Sequence, residues 1–415
     1  MAELRVTIER VAFGGEGIAR TPEGVLFIPN TLPGETVRGR LVEKTASYGR
    51  AELVAVETPS PDRILPPCPL AGGTLDPTGR NLRGACPGCV YAHVRPETET
   101  ALKQAQLIEM LERVGRLSDE ARSRVLPPVP GVRPYRYRNK AVFHVSRSGQ
   151  ECRTGYYGFD NKTVLDVPDC LLTAEPLAEQ WKELRSRPEW PHTLREGMTI
   201  TLRWTCRDGV VWWRNRADPR QPWLSEEVAG EVLRVPADAF FQVNPWMLEP
   251  LTDVVGSLIR EAGPAAVLDL YSGVGLFSLV AFRSGVRRGW GVEVESRAVE
   301  AATWNARQLG MEGFCFTASS VERALRSASA RFPPETTMAI VDPPRAGLSE
   351  SVRSALLRYG PRDILYISCA CDTLARDLAT LTAGGPYLFQ RARLLDLFPR
   401  TAHFETVVWL RRKDA

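Results

Sequence analysis

The sequence predicts a multidomain chain: a small N-terminal β-barrel of OB-like type, a central α+β domain and a C-terminal α/β fold of Rossmann-like type. Three observations lead there. Residues 1–60 alternate β-branched and polar side chains between Gly and Pro turns. A Pro-rich stretch, "PSPDRILPPCP", follows, in which each Pro blocks continuation of a sheet or helix. From Ala265 onward, near-continuous apolar runs alternate with helical segments, the pattern of strands buried on both faces of a parallel sheet. These features divide the chain into 1–60, 61–240 and 241–415.

The opening segment, from "LRVTIERVAFGGEG" to "RAELVAVETPS", fits a small antiparallel barrel of about five strands. After the linker, "PETETALKQAQLIEMLERVG" has a Pro start, early acids, apolar residues three and four apart and a Gly stop, which together specify one amphipathic helix. Short strand-like runs extend from "RYRNKAVFHV" to "GVVWWRNR", interrupted by a Trp-bearing helical stretch near residue 180. The C-terminal domain offers "AAVLDLYSG", "RRGWGVEVE", "FCFTASS", "TMAIVDPPR", "DILYISCA", "PYLFQRARLLD" and "HFETVVWLRR" as strands. The last two lie too close together for a crossover helix, so an antiparallel hairpin at the sheet edge is expected.

Composition narrows the class. With 44% hydrophobic and 25% charged residues, the chain has the make-up of a soluble globular protein. It shows neither a secretion-type start nor an apolar run approaching the roughly 18 residues that cross a bilayer, and a cytoplasmic location is expected. A net charge of +4 is too mild to indicate a nucleic-acid partner alone, so charge must be read locally. Nine cysteines, an odd number, favour reduced thiols, metal ligation or catalysis over a disulfide framework. A monomer is the default expectation.

"LDLYSGVGLFSL" places Asp269, Gly273 and Gly275 at a strand-to-helix turn, where glycines admit a ligand and the helix offers free N–H groups. Some twenty residues on, Glu293 is suited to accept hydrogen bonds from a ribose diol, and Asp342 ends another strand over the same crevice. Position 278 is Ser, where a three-glycine dinucleotide fingerprint would have Gly. The acidic first strand, the turn and the ribose acid suit S-adenosyl-L-methionine better.

Cys68, Cys86, Cys89 and Cys170 form C-x17-C-x2-C…C. Four thiolates can hold a [4Fe–4S] cluster or a structural zinc, and the spacing does not choose between them. His93 is an alternative ligand, whereas Cys152, Cys206 and Cys315 acquire no role. "VRPYRYRNK" interleaves Arg133, Arg136, Arg138 and Lys140 with Tyr135 and Tyr137, a mixture suited to phosphates and stacked bases.

"FFQVN" (240–244), "DLYSGVG", "VDPPRAGL", "YISCACDTLARD" and "DLFPRTAHFE" resemble, in content and order, the motifs of the RNA uridine-5-methyltransferase family, specifically its iron–sulfur branch acting on 23S ribosomal RNA. The N-terminal stretch is similar to that family's RNA-binding TRAM barrel, and the C-terminal domain to its methyltransferase fold. The resemblance implies Cys369 as the nucleophile and Glu405 as the general base. It implies donor contacts from Gln242, Tyr271, Glu293, Ser320 and Asp342. It favours a [4Fe–4S] cluster on the four cysteines, with 69–85 as an inserted Gly-rich loop, since the family's first Cys gap is much shorter.

Carbon 5 of uracil is a poor nucleophile until a thiolate adds to carbon 6, so Cys369 is expected near positive charge or a helix N-terminus that lowers its pKa. Glu405 would then remove the carbon 5 proton. A flipped base needs stacking surfaces, for which Phe240 and Phe398 are candidates, though both residues equally suit a core. Cys371, where the family has Pro, is expected to be a packed spectator. Large-subunit ribosomal RNA is the expected partner. A transfer-RNA methyltransferase of the same chemistry and a non-catalytic RNA-binding or iron–sulfur protein are the alternatives.

Overall fold

The structure is a computed structural model that describes residues 3–82, 84–117, 122–217 and 223–414. The chain forms two compact units. The first comprises Met1–Leu107, Arg133–Leu202 and Phe398–His403; the second comprises Ile108–Val132, Arg203–Leu397 and Phe404–Ala415.

The first unit opens with strands β1 (Glu3–Thr7), β2 (Arg10–Val11), β3 (Glu16–Thr21), β4 (Gly24–Pro29), β5 (Thr36–Lys44) and β6 (Tyr48–Thr58). They form a curled sheet in the order β1-β5-β6-β4-β3-β2. Their alternation buries Ile8, Ala19, Leu26, Ile28, Val37 and Leu53 as one apolar core. The extra strand relative to the five expected is β2, two residues long.

The linker after β6 is fixed by charge. Arg63 donates from Nε to Glu35 Oε1 at 2.6 Å and from Nη2 to Glu35 Oε2 at 2.7 Å, and both side chains are buried. Segment 69–85 carries a short hairpin, β7 (Thr74–Leu75) with β8 (Asn81–Leu82); residue 83 lies outside the described residues. The helix Pro96–Arg113 has the expected Pro start, early acids and terminal Arg. Strands β10 (Lys140–Ser148) and β11 (Glu151–Gly155) pair antiparallel beneath the helix Glu175–Ser186, whose Trp181 stacks on Phe143 at 3.9 Å between ring centres. The first residues of β12 (Thr199–Thr205) complete this unit.

The second unit contains β13 (Gly209–Arg214) and a hairpin of β14 (Leu224–Val228) with β15 (Glu231–Val235). Asn305 clamps that hairpin, accepting from Arg234 N at 2.8 Å and donating to Arg234 O at 3.1 Å. Its sheet uses β9 (Val125–Val129), β16 (Ala266–Leu270), β17 (Gly289–Glu293), β18 (Phe314–Ala318), β19 (Thr337–Val341), β20 (Asp363–Ser368), β21 (Tyr387–Leu395) and β22 (Glu405–Arg412). The order is β18-β17-β16-β19-β20-β22-β21-β9. Strands β16 to β20 are parallel, and β16, β17, β19 and β20 are, as their apolar runs require, almost wholly buried, whereas β18 at the sheet edge is buried only at Phe314. Between β16 and β19 the strand order reverses, which opens a crevice at their C-terminal ends.

The terminal hairpin departs from expectation. Strand β22 lies against β20 and β21 lies outside it, both antiparallel, but the sheet edge is β9, parallel to β21. The sequence of β9, "VLPPV", hides it: Pro breaks a strand signature, yet it is tolerated at an edge, where no ladder donor is needed.

Candidate active site

The residues singled out at the strand ends of the second unit gather over this crevice. Asp269, fully buried in β16, accepts from Ser278 N at 2.9 Å and from Ser278 Oγ at 2.7 Å. Burial pushes its carboxyl up to about 6 despite these bonds. In the following turn Tyr271 holds a left-handed φ of 66°, and Gly273 N donates to Glu293 Oε2 at 3.1 Å. Glu293 Oε1 accepts from Val294 N at 2.6 Å and Glu295 N at 3.0 Å, so the carboxylate is oriented by three backbone groups.

Gln242 is buried, and Phe240 is 71% exposed. Ser320 is exposed and caps the helix Val321–Ala328, accepting from Arg323 N at 3.4 Å. That hydroxyl is thus given to the helix end, which is the local reason for Ser at this position.

Asp342 follows β19 and Cys369 follows β20, while Glu405 opens β22. Glu405 is 3% exposed; burial and then Asp342 push its carboxyl well above the ordinary range. Asp342 is itself pushed up by burial and by Asp269. Cys369, half-buried beside the start of helix Cys371–Leu381, has its thiol pushed up to about 11 by burial, then by Glu405 and Asp342. Arg345 opposes them, through charge and a hydrogen bond. The expectation of a lowered Cys369 pKa is therefore corrected: two acids and desolvation outweigh one cation and a helix start. Cys371 is 1% exposed and packs inward.

Arg345 and its mounting were missed by sequence reasoning. Asp377, fully buried, accepts from Tyr366 Oη at 2.8 Å, Leu348 N at 2.7 Å and Arg353 Nη1 at 2.9 Å. From the same helix Thr373 Oγ1 donates to Arg345 O at 3.0 Å and Arg376 Nη2 to Ala346 O at 2.9 Å. A Cβ at Gly347 would lie 2.7 Å from both Arg376 Nη2 and Asp377 Oδ2, which is why the loop "PPRAGL" needs Gly there. The readable signal was Asp377 itself, an acid on the apolar face of its helix.

Several other expected residues fall in the first unit. Phe398 belongs there, half-buried, its carbonyl accepting from Lys103 Nζ at 3.2 Å. Among the four basic residues of "VRPYRYRNK", Arg136 is bound to Asp169 by two bonds of 2.8 Å and also donates to Cys170 O at 3.1 Å. Its expected role at a phosphate is corrected accordingly, because that fork is filled. Arg138 directs its charge toward Cys89 and Cys170. Arg133 is exposed, 4.0 Å from Glu175, and Lys140 is half-buried.

Cys68, Cys86, Cys89 and Cys170 are half-buried and sense one another. Burial pushes the Cys89 thiol up, and Cys170, Cys86 and Cys68 add to the rise. Backbone N–H groups of Gly88, and of Leu172 and Thr173, stabilise the Cys86 and Cys170 sulfurs. Among the described residues, no three His, Cys, Asp or Glu side chains stand close enough to hold a single metal ion. His93 is buried, with its imidazole pKa pushed down to about 3 by burial and by Arg63.

A doubly wound sheet with an acid at the end of its first strand, a ribose-type acid at the second and converging acids beyond defines an S-adenosyl-L-methionine-dependent methyltransferase fold. Residues 227–413 match the family model described as tRNA (Uracil-5-)-methyltransferase, and residues 2–54 match the TRAM domain. An uncharacterized RNA methyltransferase of Streptomyces coelicolor is 32% identical over 98% of this chain and 92% of its own length. One from Nostoc sp. is 30% identical over 98% and 96%. The tRNA (uracil-54, C5)-methyltransferase of Pyrococcus abyssi, solved with S-adenosyl-L-homocysteine, shares the fold with a TM-score of 0.69 at 19% identity, covering 98% of this chain and 100% of that one. The chain belongs to the RNA (uracil-5-)-methyltransferase family, with an N-terminal TRAM domain. Among the described residues no helix is long and apolar enough to cross a membrane.

Proposed function

We propose that this protein methylates carbon 5 of a uridine in 23S ribosomal RNA through a covalent bond between Cys369 and carbon 6. The observation that carries the proposal is the convergence of Cys369, Glu405, Asp342 and Arg345 beyond the strand ends. S-adenosyl-L-methionine, when bound, supplies a methyl group on a sulfonium. Gln242, Tyr271, Gly273, Gly275, Glu293 and Asp342 are the residues assigned to hold it, with Ser320 at the rim.

The Cys369 thiol gives its proton to solvent water and its sulfur bonds to carbon 6 as the carbon 5–carbon 6 π bond opens, which leaves that electron pair at carbon 5 to bond the methyl group. Arg345 holds the thiolate. Glu405 then takes the carbon 5 proton, the double bond re-forms, and the carbon 6–sulfur bond breaks to return Cys369. Phe240, exposed and two residues before the donor-assigned Gln242, is assigned to stacking on the flipped base. Arg133 and Lys140 are assigned to phosphates.

We assign a [4Fe–4S] cluster to Cys68, Cys86, Cys89 and Cys170 on the resemblance of this cysteine set to the family's iron–sulfur branch; the four thiols sense one another's charge, and Cys86 and Cys170 receive backbone N–H donors. Anaerobic purification should yield iron and sulfide in equal amounts, lost in Cys170→Ala. This cluster and the TRAM barrel favour ribosomal RNA. A transfer-RNA substrate is the second reading, favoured by the match to the tRNA (Uracil-5-)-methyltransferase family model.

The deciding experiment mixes the anaerobic protein and S-adenosyl-L-methionine with 5-fluorouridine-substituted transcripts of 23S ribosomal RNA or of transfer RNA. Fluorine cannot leave as a proton, so a methylated adduct on the Cys369 peptide is expected with the ribosomal transcript. An adduct with transfer RNA alone selects the second reading, and an adduct on Cys371 overturns the assignment of the nucleophile.

A further inference from the structure

The segment 69–85, expected as an inserted loop, is built onto the barrel. Val56 N donates to Gly79 O at 2.9 Å, Ala55 and Arg80 form an antiparallel bridge, and Asn81 Nδ2 donates to Leu53 O at 3.1 Å. Asp76 closes the turn by accepting from Thr78 N at 2.8 Å and Arg80 N at 3.0 Å. Gly79 is required: its φ is +79°, and a Cβ would lie 2.7 Å from Val56 O.

Between this segment, the barrel and one further loop lies a cavity of about 410 Å³, lined by Asn30, Arg40, Glu52, Arg80, Asn81 and Phe159 among others, all within the first unit. The volume falls in the roughly 300–1,000 Å³ of small-ligand pockets. Phe159 is 61% exposed. Its loop is held rigid by Asp160, which accepts from Lys162 N at 3.0 Å and Thr163 N at 2.9 Å. The Arg80 side chain is exposed, and its charge is felt by Asp76 of the same turn. An exposed cation, an exposed phenyl face and amide groups around a cavity of this size are the elements of a single-nucleotide site: a phosphate clamp, a stacking surface and base-edge partners.

We propose that the cavity binds one unpaired nucleotide of the substrate RNA, its base on Phe159 and its phosphate at Arg80 and Arg40, with Glu52, Asn30 and Asn81 facing the base edge. The site extends the RNA-methyltransferase reading, on which it rests, and makes the inserted segment a reader of sequence next to the target. Full-length wild-type protein, Phe159→Ala and Arg80→Gln are titrated against a fluorescein-labelled single-stranded oligouridylate of about twelve nucleotides across a salt series. Melting temperatures check that each variant is folded.

Phe159→Ala is expected to weaken binding by about 5- to 150-fold, the range for one base stacked on one aromatic ring. Arg80→Gln is expected to reduce the slope of log affinity against log salt by about 0.7. Wild-type affinity and slope in both variants overturn the proposal, as does a wild-type protein that binds no single strand, or a 4-thiouridine transcript that crosslinks without touching the Phe159 peptide. Binding that depends on Phe159 in a protein that methylates no RNA would leave this site standing and sink the methyl-transfer reading instead.

Discussion

Ser278 gives both its backbone N–H and its hydroxyl to the same carboxylate oxygen of Asp269, at 2.9 Å and 2.7 Å. The residue that breaks the three-glycine dinucleotide pattern is thus the one that holds the acid of the turn. Ser278→Ala removes the hydroxyl bond alone. At pH 8 it should destabilise the fold by about 1.5–3 kcal/mol, the value of a hydrogen bond to a charged group, read as a lower urea midpoint.

Asp269 also sets a pH dependence. Its carboxyl rises from an ordinary 3.8 to about 6 in the folded protein, so between those values the folded state keeps a proton that the unfolded chain releases. Its contribution to stability is full below 3.8 and is lost as pH climbs through about 6. Asp269→Asn should abolish about 3 kcal/mol of that slope, measured as the wild-type-minus-variant unfolding free energy between pH 4 and 7.

Activity should run the other way. Cys369 and Glu405 both act deprotonated in the proposed chemistry, and both are pushed upward by burial. The expected kcat/KM therefore increases with pH from neutral to about pH 9, whereas a nucleophile of ordinary or lowered pKa would give a plateau.

Alkylation of the Cys369 peptide, followed by mass spectrometry with iodoacetamide, isolates the local charges. Arg345→Gln removes the cation that lowers this thiol's pKa and should slow labelling about three- to tenfold. Glu405→Gln removes an acid that raises it and should speed labelling by a similar factor. Equal rates in all three proteins would place neither side chain beside the sulfur.

The buried Arg63–Glu35 pair predicts a stability effect away from the chemistry. Glu35 also accepts from Leu32 N at 2.8 Å, and Arg63 donates to Asn30 O at 2.8 Å, but carbonyls alone do not neutralise the Arg63 charge that Glu35 balances. Glu35→Gln should cost about 3–5 kcal/mol, seen as a lowered thermal midpoint, because it strands a buried guanidinium.

Much of the second unit was legible because burial on both faces leaves a plain signature: β16, β17, β19 and β20 read as apolar runs that lead into Tyr271–Gly273, Glu293, Asp342 and Cys369. Strand β9 was not legible, since Pro127 and Pro128 suppress the signature while its pairing partner β21 lies far along the chain. Arg136 shows the opposite failure. Its charge run looked like an RNA patch, but Asp169, invisible at that distance in sequence, takes both guanidinium nitrogens. Arg345 was written in plain view within "VDPPRAGL", yet its meaning depends on Thr373, which holds its carbonyl, and on a thiol, Cys369, that only folding brings beside it.

The two prolines of β9 also decide what the sheet does not do. Strand β9 is its outermost member, and Pro127 and Pro128 have no amide hydrogen to present outward. An open strand with a full row of donors is a template for neighbouring chains, and eight strands of apolar sequence would make a strong one. By ending this side of the sheet, opposite β18, with residues that cannot donate, the fold blunts one of its two edges against strand-to-strand aggregation while the chain is folding and when it is crowded.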